Sequence, residues 1–130
     1  MEVGNDVSLS LSWEGIGSTA HAEIFARREA MAAKYQRFGL SWTNSHTSID
    51  ITPAGISKQT GMEHVMALLG VGQESTIAIG DSHNDLKMLS FAAHPMCPQN
   101  ASPEVKAICK TIATKPQVAG VLELLNGLLD

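Results

Sequence analysis

The chain has 130 residues, with 9 basic and 13 acidic side chains, a formal net charge of −4, 44% hydrophobic and 17% charged residues. That apolar fraction excludes a disordered chain, and the acidic balance excludes the electrostatic footprint of a nucleic-acid binder. No apolar run approaches the roughly 20 residues of a membrane span, and no basic segment leads into an apolar one as in a signal peptide. Cys97 and Cys109 are too few for a disulfide scaffold and lack metal-ligand spacing, which suits small buried hydrophobes. The expectation is a globular cytoplasmic protein with no nucleic-acid and no membrane partner. Its length suits one ordinary domain, or a small domain with an appendage.

Val7, Leu9, Leu11 and Trp13 alternate with Ser8, Ser10, Ser12 and Glu14, which predicts a strand with one buried face. Gly15 and Gly17 end it, and Ser18 or Thr19 can cap a helix over 19–36 whose stripe is Ile24, Arg28, Met31 and Tyr35. Gly39 stops that helix. Leu40 and Trp42 against Ile49 and Ile51 change phase across Asn44-Ser45-His46, predicting strands 40–44 and 47–51 around a turn. Strand, helix, strand, strand suits an antiparallel sheet with a helix on one face. Pro53 and Gly55 mark a domain boundary, giving domains 1–52 and 53–130.

Beyond it the pattern becomes α/β. Met62, Val65, Met66 and Leu69 predict a helix over 58–69, closed by Gly70 and Gly72. Thr76-Ile77-Ala78-Ile79 is continuously apolar, as in a parallel strand covered on both faces. A short helix from Leu86, a strand at 95–98, a helix opened by Pro103, a small strand at 111–113 and a Leu/Val-rich helix over 117–129 follow. Helices alternating with apolar strands define a doubly wound layer.

The chemistry lies in Gly80-Asp81-Ser82-His83-Asn84-Asp85, directly after the apolar strand. Ligands of open α/β sheets bind outside the carboxyl ends of the strands. Two carboxylates and an amide there suit Mg²⁺, which takes one or two carboxylates and leaves room for water and phosphate. Gly80 is expected to let the backbone turn sharply beneath the ion. Asp81 and Asn84 as mere helix caps would explain less of this pattern. Lys58, at the start of its helix, opposes the macrodipole unless it serves a phosphate at that terminus.

Gly55-Ile56-Ser57-Lys58, the segment from Ile79 through Leu89, and Asn100-Ala101-Ser102-Pro103-Glu104-Val105-Lys106 together resemble the C-terminal half of a haloacid dehalogenase (HAD) superfamily phosphatase. The branch they are most similar to is the Cof-type and sugar-phosphatase one. The match covers about residues 47–125. It implies the C-terminal half of a HAD-like Rossmannoid core preceded by part of an α+β cap. It also implies a Mg²⁺-dependent phosphatase acting on a small phosphorylated metabolite such as a sugar phosphate. By this resemblance Lys58 neutralises phosphate and nucleophile, and Asp81 ligates Mg²⁺. Asn84 contacts phosphate, Asp85 orients the ion shell or Lys58, and Asn100 neighbours the site. Charge neutralisation by metal and ammonium is what phosphoryl transfer requires.

The family's Asp-x-Asp-x-Thr motif, which carries its nucleophile and general acid, has no counterpart here. Asp50-Ile51-Thr52 lies on a strand of the cap region, and Asp6 follows Gly4-Asn5 without an apolar strand. The early Ser/Thr phosphate-binding motif is missing too. The expectation is therefore a fragment or truncated relative, inactive alone for want of an aspartyl nucleophile. Without the neighbouring strand, 76–79 becomes an apolar edge, and the chain is expected to dimerise through strand pairing or domain exchange, to associate with the missing half, or to be poorly soluble. The alternative function is a non-catalytic remnant that binds or regulates. The phosphorylation domain of a P-type ATPase shares the acidic loop, but no membrane segment follows and Leu86-Lys87-Met88-Leu89 fits the soluble phosphatases better. His21, His46, His64 and His94 read as bystanders, and Trp13 and Trp42 as cap core or interface. His83 lies inside the acidic loop within reach of a substrate, but its position varies in the family and it is given no catalytic role.

Overall fold

The computed structural model describes residues 9–12, 23, 26–27, 30, 33–34, 36–44 and 48–130. The chain divides into two compact units between Ile56 and Ser57.

In the first unit β1 (Leu9–Ser12), β2 (Leu40–Asn44) and β3 (Ser48–Pro53) form an antiparallel sheet in the order β1-β3-β2. Leu9 stands opposite Ile51 on one side of β3, and Trp42 opposite the same residue on the other. Ile51 is buried there. β3 runs two residues past the expected 51, ending at Pro53 opposite Leu40. The expected helix is helical at Glu23, Ala26, Arg27, Ala30, Ala33, Lys34 and Gln36. Its other positions, Val7, Trp13, the capping residues and the turn at 45–47 lie outside the described residues, as do His21 and His46. Gly39 stops the helical pattern in the left-handed region, at φ 71°.

The second unit holds β4 (Ile77–Ile79), β5 (His94–Cys97) and β6 (Thr111–Ile112) in a parallel sheet of that order. Its helices are α1 (Lys58–Leu69), α2 (Leu86–Phe91), α3 (Pro103–Ile108) and α4 (Gln117–Leu129). Parallel neighbours require crossovers, and α2 and α3 supply them. α1 is capped at both ends. Ser57 Oγ accepts from the Thr60 N–H at 3.3 Å while Thr60 Oγ1 accepts from the Ser57 N–H at 2.9 Å, and Gly70 closes the helix at φ 66°.

Ala78, Leu89, Ala92, Cys97, Ala101 and Val105 form the core, with Met62, Leu86, Met88 and Cys109 packed against it. Strand and helix residues thus meet in one cluster directly beneath the loops that follow β4 and β5. In α4 the buried faces are Gly120 and Leu124, one turn apart. A Cβ at Gly120 would stand 2.9 Å from Pro98 Cβ and 2.2 Å from the Lys115 carbonyl oxygen, so only glycine lets α4 close there.

One expectation fails at β4. The strand was expected to be covered on both faces, yet Ile77 is 42% exposed while Ala78 is buried. Among the described residues β4 has a strand neighbour on one side only, so Ile77 lacks the cover that a central position would provide.

Cys97 belongs to the core, and Cys109 packs against it partly buried. Cys97 is fully enclosed, and burial with the adjacent Cys97 sulfur pushes the Cys109 thiol up to about 12. The upward shift leaves less thiolate at neutral pH. Alkylation at pH 8 should leave both cysteines unmodified in the native chain and label both in urea, as read by intact mass.

Candidate functional site

β4 delivers the chain to the acidic loop at its carboxyl end. The Gly80 N–H donates to the Met96 carbonyl at 3.2 Å, extending the β4–β5 pairing by one residue. Asp81 follows, and His83–Asp85 form one 3₁₀ turn that runs into α2. Leu89, fully buried one turn further on, anchors α2 in the core and so fixes the direction in which the turn leaves.

Asp85 organises the loop. Its Oδ2 accepts the N–H groups of Asp81 at 2.9 Å and Ser82 at 3.2 Å, and its Oδ1 accepts from Lys58 Nζ. The carboxylate is buried, with 5% of its side chain exposed, whereas half of the Lys58 side chain is in solvent. Burial opposes the charge, but the Lys58 ammonium and the two backbone N–H groups outweigh it and hold the carboxyl below its ordinary value. Lys58 therefore opens α1 against the macrodipole because it answers a carboxylate. A lysine ammonium has three donors, so two remain after Asp85 is served.

Gly80 has a different role from the expected one. Its φ is not in the left-handed region, so the turn does not need glycine. A Cβ at that position would lie 2.5 Å from Asp85 Cβ and 2.8 Å from Asp85 Oδ2. Glycine is required so that the carboxylate can fold back beneath the loop.

Asp81 has one oxygen, Oδ1, accepting from Ser82 Oγ at 2.8 Å. Among the described residues no protein donor addresses its Oδ2. Ser102 bonds to the same residue, its N–H donating to the Asp81 carbonyl at 2.9 Å, so the loop before α3 braces the loop after β4. His83 Nδ1, Asn84 Oδ1 and Ser102 Oγ are buried side-chain atoms without a partner among the described residues. Burial of Nδ1 turns that edge of His83 inward. His64 and His94 are exposed.

Lys58, Asp81 and Asp85 are thus brought together, with Asn84 on the same turn. Asn100 Oδ1 accepts the Gln117 N–H at 2.7 Å, fastening the start of α4 at a residue with φ 50°. Asp50-Ile51-Thr52 lies on β3, the middle strand of the first unit's sheet. Sequence reasoning passed over Ser82, which sits three residues before Asp85. That spacing is a capping-box signature, and the structure contains the box. Ser102 acts through its backbone, which no side-chain pattern reports.

A small hard cation fits this donor set in part. Mg²⁺ accepts one or two carboxylates with water and phosphate oxygens, and Asp81 offers the available one. Asp85 has both oxygens occupied by protein donors. Among the described residues no group of three or more His, Cys, Asp or Glu side chains gathers to hold a metal by itself.

Residues 17–125 match the model of the haloacid dehalogenase-like hydrolases. The chain belongs to that family, whose members are phosphatases and related hydrolases, and its parallel-sheet unit has the family's Rossmann-like fold. It is 30% identical over 102 residues to a phosphoglycolate phosphatase of Aeropyrum pernix, a match covering 78% of this chain and 42% of that protein. A Streptococcus mutans protein of known structure superposes with a TM-score of 0.76 at 25% identity, over 94% of this chain and 44% of that one. A HAD subclass IIB sugar phosphatase shares the fold with a TM-score of 0.65 at 22% identity, over 78% and 40%. The chain thus spans less than half the length of these relatives.

Gly80→Ala should destabilise the second unit by about 1–3 kcal/mol through overpacking against Asp85, read as a lower urea midpoint at unchanged slope. Asp85→Ala strands two N–H donors and an ammonium. Because Lys58 can turn to water, the loss should be about 1–3 kcal/mol rather than that of a fully buried pair. Asp85→Asn, which keeps an acceptor for the two N–H groups, should lose less in the same measurement.

Proposed function

We propose that these residues form the cation and phosphate side of a Mg²⁺-dependent phosphohydrolase site for a small phosphorylated metabolite such as a sugar phosphate. The observation that carries the reading is the Lys58–Asp85 pair, tied by two backbone N–H groups to the residue that offers a carboxylate oxygen at the end of β4. Asp81 would hold Mg²⁺ directly, and Asp85 would hold Lys58 and the loop in register. When bound, the ion would supply positive charge to the phosphoryl oxygens. Lys58 directs its remaining donors to the same oxygens, and Asn84 contributes its amide N–H₂. The kinship with a subclass IIB sugar phosphatase supports the substrate class. The two free thiols support a cytoplasmic setting.

Turnover needs a nucleophile that these 130 residues do not supply. The five aspartates, at 6, 50, 81, 85 and 130, include no pair two residues apart. The isolated chain is accordingly read as inactive, with a nucleophile-bearing strand contributed by other polypeptide in any catalytic form. The same observation favours a second reading, a module that holds cation and phosphate without turnover.

Calorimetric titration should detect Mg²⁺ binding to the chain, weakened at least about tenfold in Asp81→Ala. An aryl phosphate with Mg²⁺ should yield no phosphate by ³¹P NMR. Hydrolysis by the chain that Asp81→Ala abolishes would overturn the claim of a missing nucleophile. Shifted sugar-phosphate resonances without release would favour the binding module.

A further inference from the structure

Asp81 is held at every polar group but one. Its N–H donates to Asp85 Oδ2 at 2.9 Å, its carbonyl accepts from the Ser102 N–H at 2.9 Å, and its Oδ1 accepts from Ser82 Oγ at 2.8 Å. Among the described residues only its Oδ2 has no protein donor. Chemistry fixes the direction of the Ser82 bond: an ionised carboxylate carries no proton, so the hydroxyl must donate. Ser82 is itself held in place. It is 6% exposed, and its N–H is committed to Asp85 Oδ2 at 3.2 Å. All of these contacts are made between the loop after β4 and the loop before α3, so none depends on what stands beside β4.

A serine that only opened the 3₁₀ turn would accept through its oxygen and leave its proton to any neighbour. Here the proton goes to the carboxylate that offers an oxygen to a cation. This charge-assisted bond holds the plane of the carboxylate and draws charge toward Oδ1. Oδ2 is left as the oxygen that an ion meets.

One oxygen rather than two decides which cation fits. Mg²⁺ requires near-octahedral geometry at about 2.0–2.1 Å and keeps several waters, so single carboxylate oxygens suit it. Ca²⁺ takes about 6–8 oxygens in flexible geometry and accepts both oxygens of one carboxylate. A carboxylate pinned through Oδ1 withholds the two-oxygen grip that favours Ca²⁺.

We propose that Ser82 is a positioning residue that presents Asp81 as a single-oxygen ligand and so sets the site's preference for Mg²⁺ over Ca²⁺. This rests on the phosphohydrolase reading, which puts the cation on Asp81, and adds to it the group that selects the ion. Ser82 touches neither ion nor phosphate in this role and acts through Asp81 alone.

Mg²⁺ and Ca²⁺ titrated separately into the isotopically labelled chain at constant ionic strength, with the Asp81 and Ser82 amide resonances followed, give both affinities. In Ser82→Ala the Mg²⁺ affinity should fall about tenfold. Ca²⁺, free to use both oxygens, should lose less, so the Ca²⁺-to-Mg²⁺ affinity ratio should rise at least about threefold. Ser82→Thr, which keeps the hydroxyl, should restore the original ratio, whereas a loop that had merely loosened would weaken both ions alike. With no metal added, the couplings that report the Asp81 side-chain torsion should show one rotamer in the unmodified chain and averaging in Ser82→Ala. Mg²⁺ binding with a ratio that Ser82→Ala does not move would overturn this proposal and leave the phosphohydrolase reading standing. Averaged Asp81 couplings in the unmodified chain would do the same. An unmodified chain that binds no Mg²⁺ would overturn both.

Discussion

The buried carboxylate of Asp85 is the group on which the rest of the site depends. One of its oxygens gathers two backbone N–H groups of its own loop, and the other reaches a lysine at the first residue of α1. A single side chain thereby converts a flexible strand-to-helix connection into a fixed turn and joins it to the helix that precedes β4. Burial alone would favour its protonation, so the arrangement works only because every acceptor direction that matters is answered. The charge is what makes those bonds strong and short.

Space for that carboxylate comes from two sources. Gly80 withholds the Cβ that would occupy it, and Leu89 pulls the following helix into the core far enough to bring Asp85 under the strand end. The bracing of Asp81 by the Ser102 N–H then connects the turn to α3. The consequence is a division of labour between the two acidic residues. Asp85 is consumed by structure, and Asp81 keeps an oxygen that no protein donor addresses among the described residues.

The same parallel sheet presents the loop. Its strands are short, and among the described residues β4 has a strand neighbour on one side only. The two units differ in this respect: in the first, the strand that buries Ile51 is the middle one, with neighbours on both sides. A strand with neighbours on both sides reads identically in sequence to one with a neighbour on one side. Periodicity reports which faces a strand was shaped for, and not what stands beside it.

Much of this was legible from residue order. Alternating and helical periods located the strands and helices, since those patterns are imposed by backbone geometry within each element. Asp81, Asn84 and Asp85 stood out as polar groups directly after an apolar strand, and Lys58 because it stands where a helix dipole disfavours it; the structure joins Lys58 to Asp85. What the amino-acid order could not contain was partnership across the chain. That Gly80 serves packing rather than a turn, that Asn100 ties down the start of α4, and that both oxygens of Asp85 are taken by protein donors are all matters of distance rather than of residue order. Local physics writes elements and chemical types into the sequence. Which atoms are left over for function is decided when folding pairs the others.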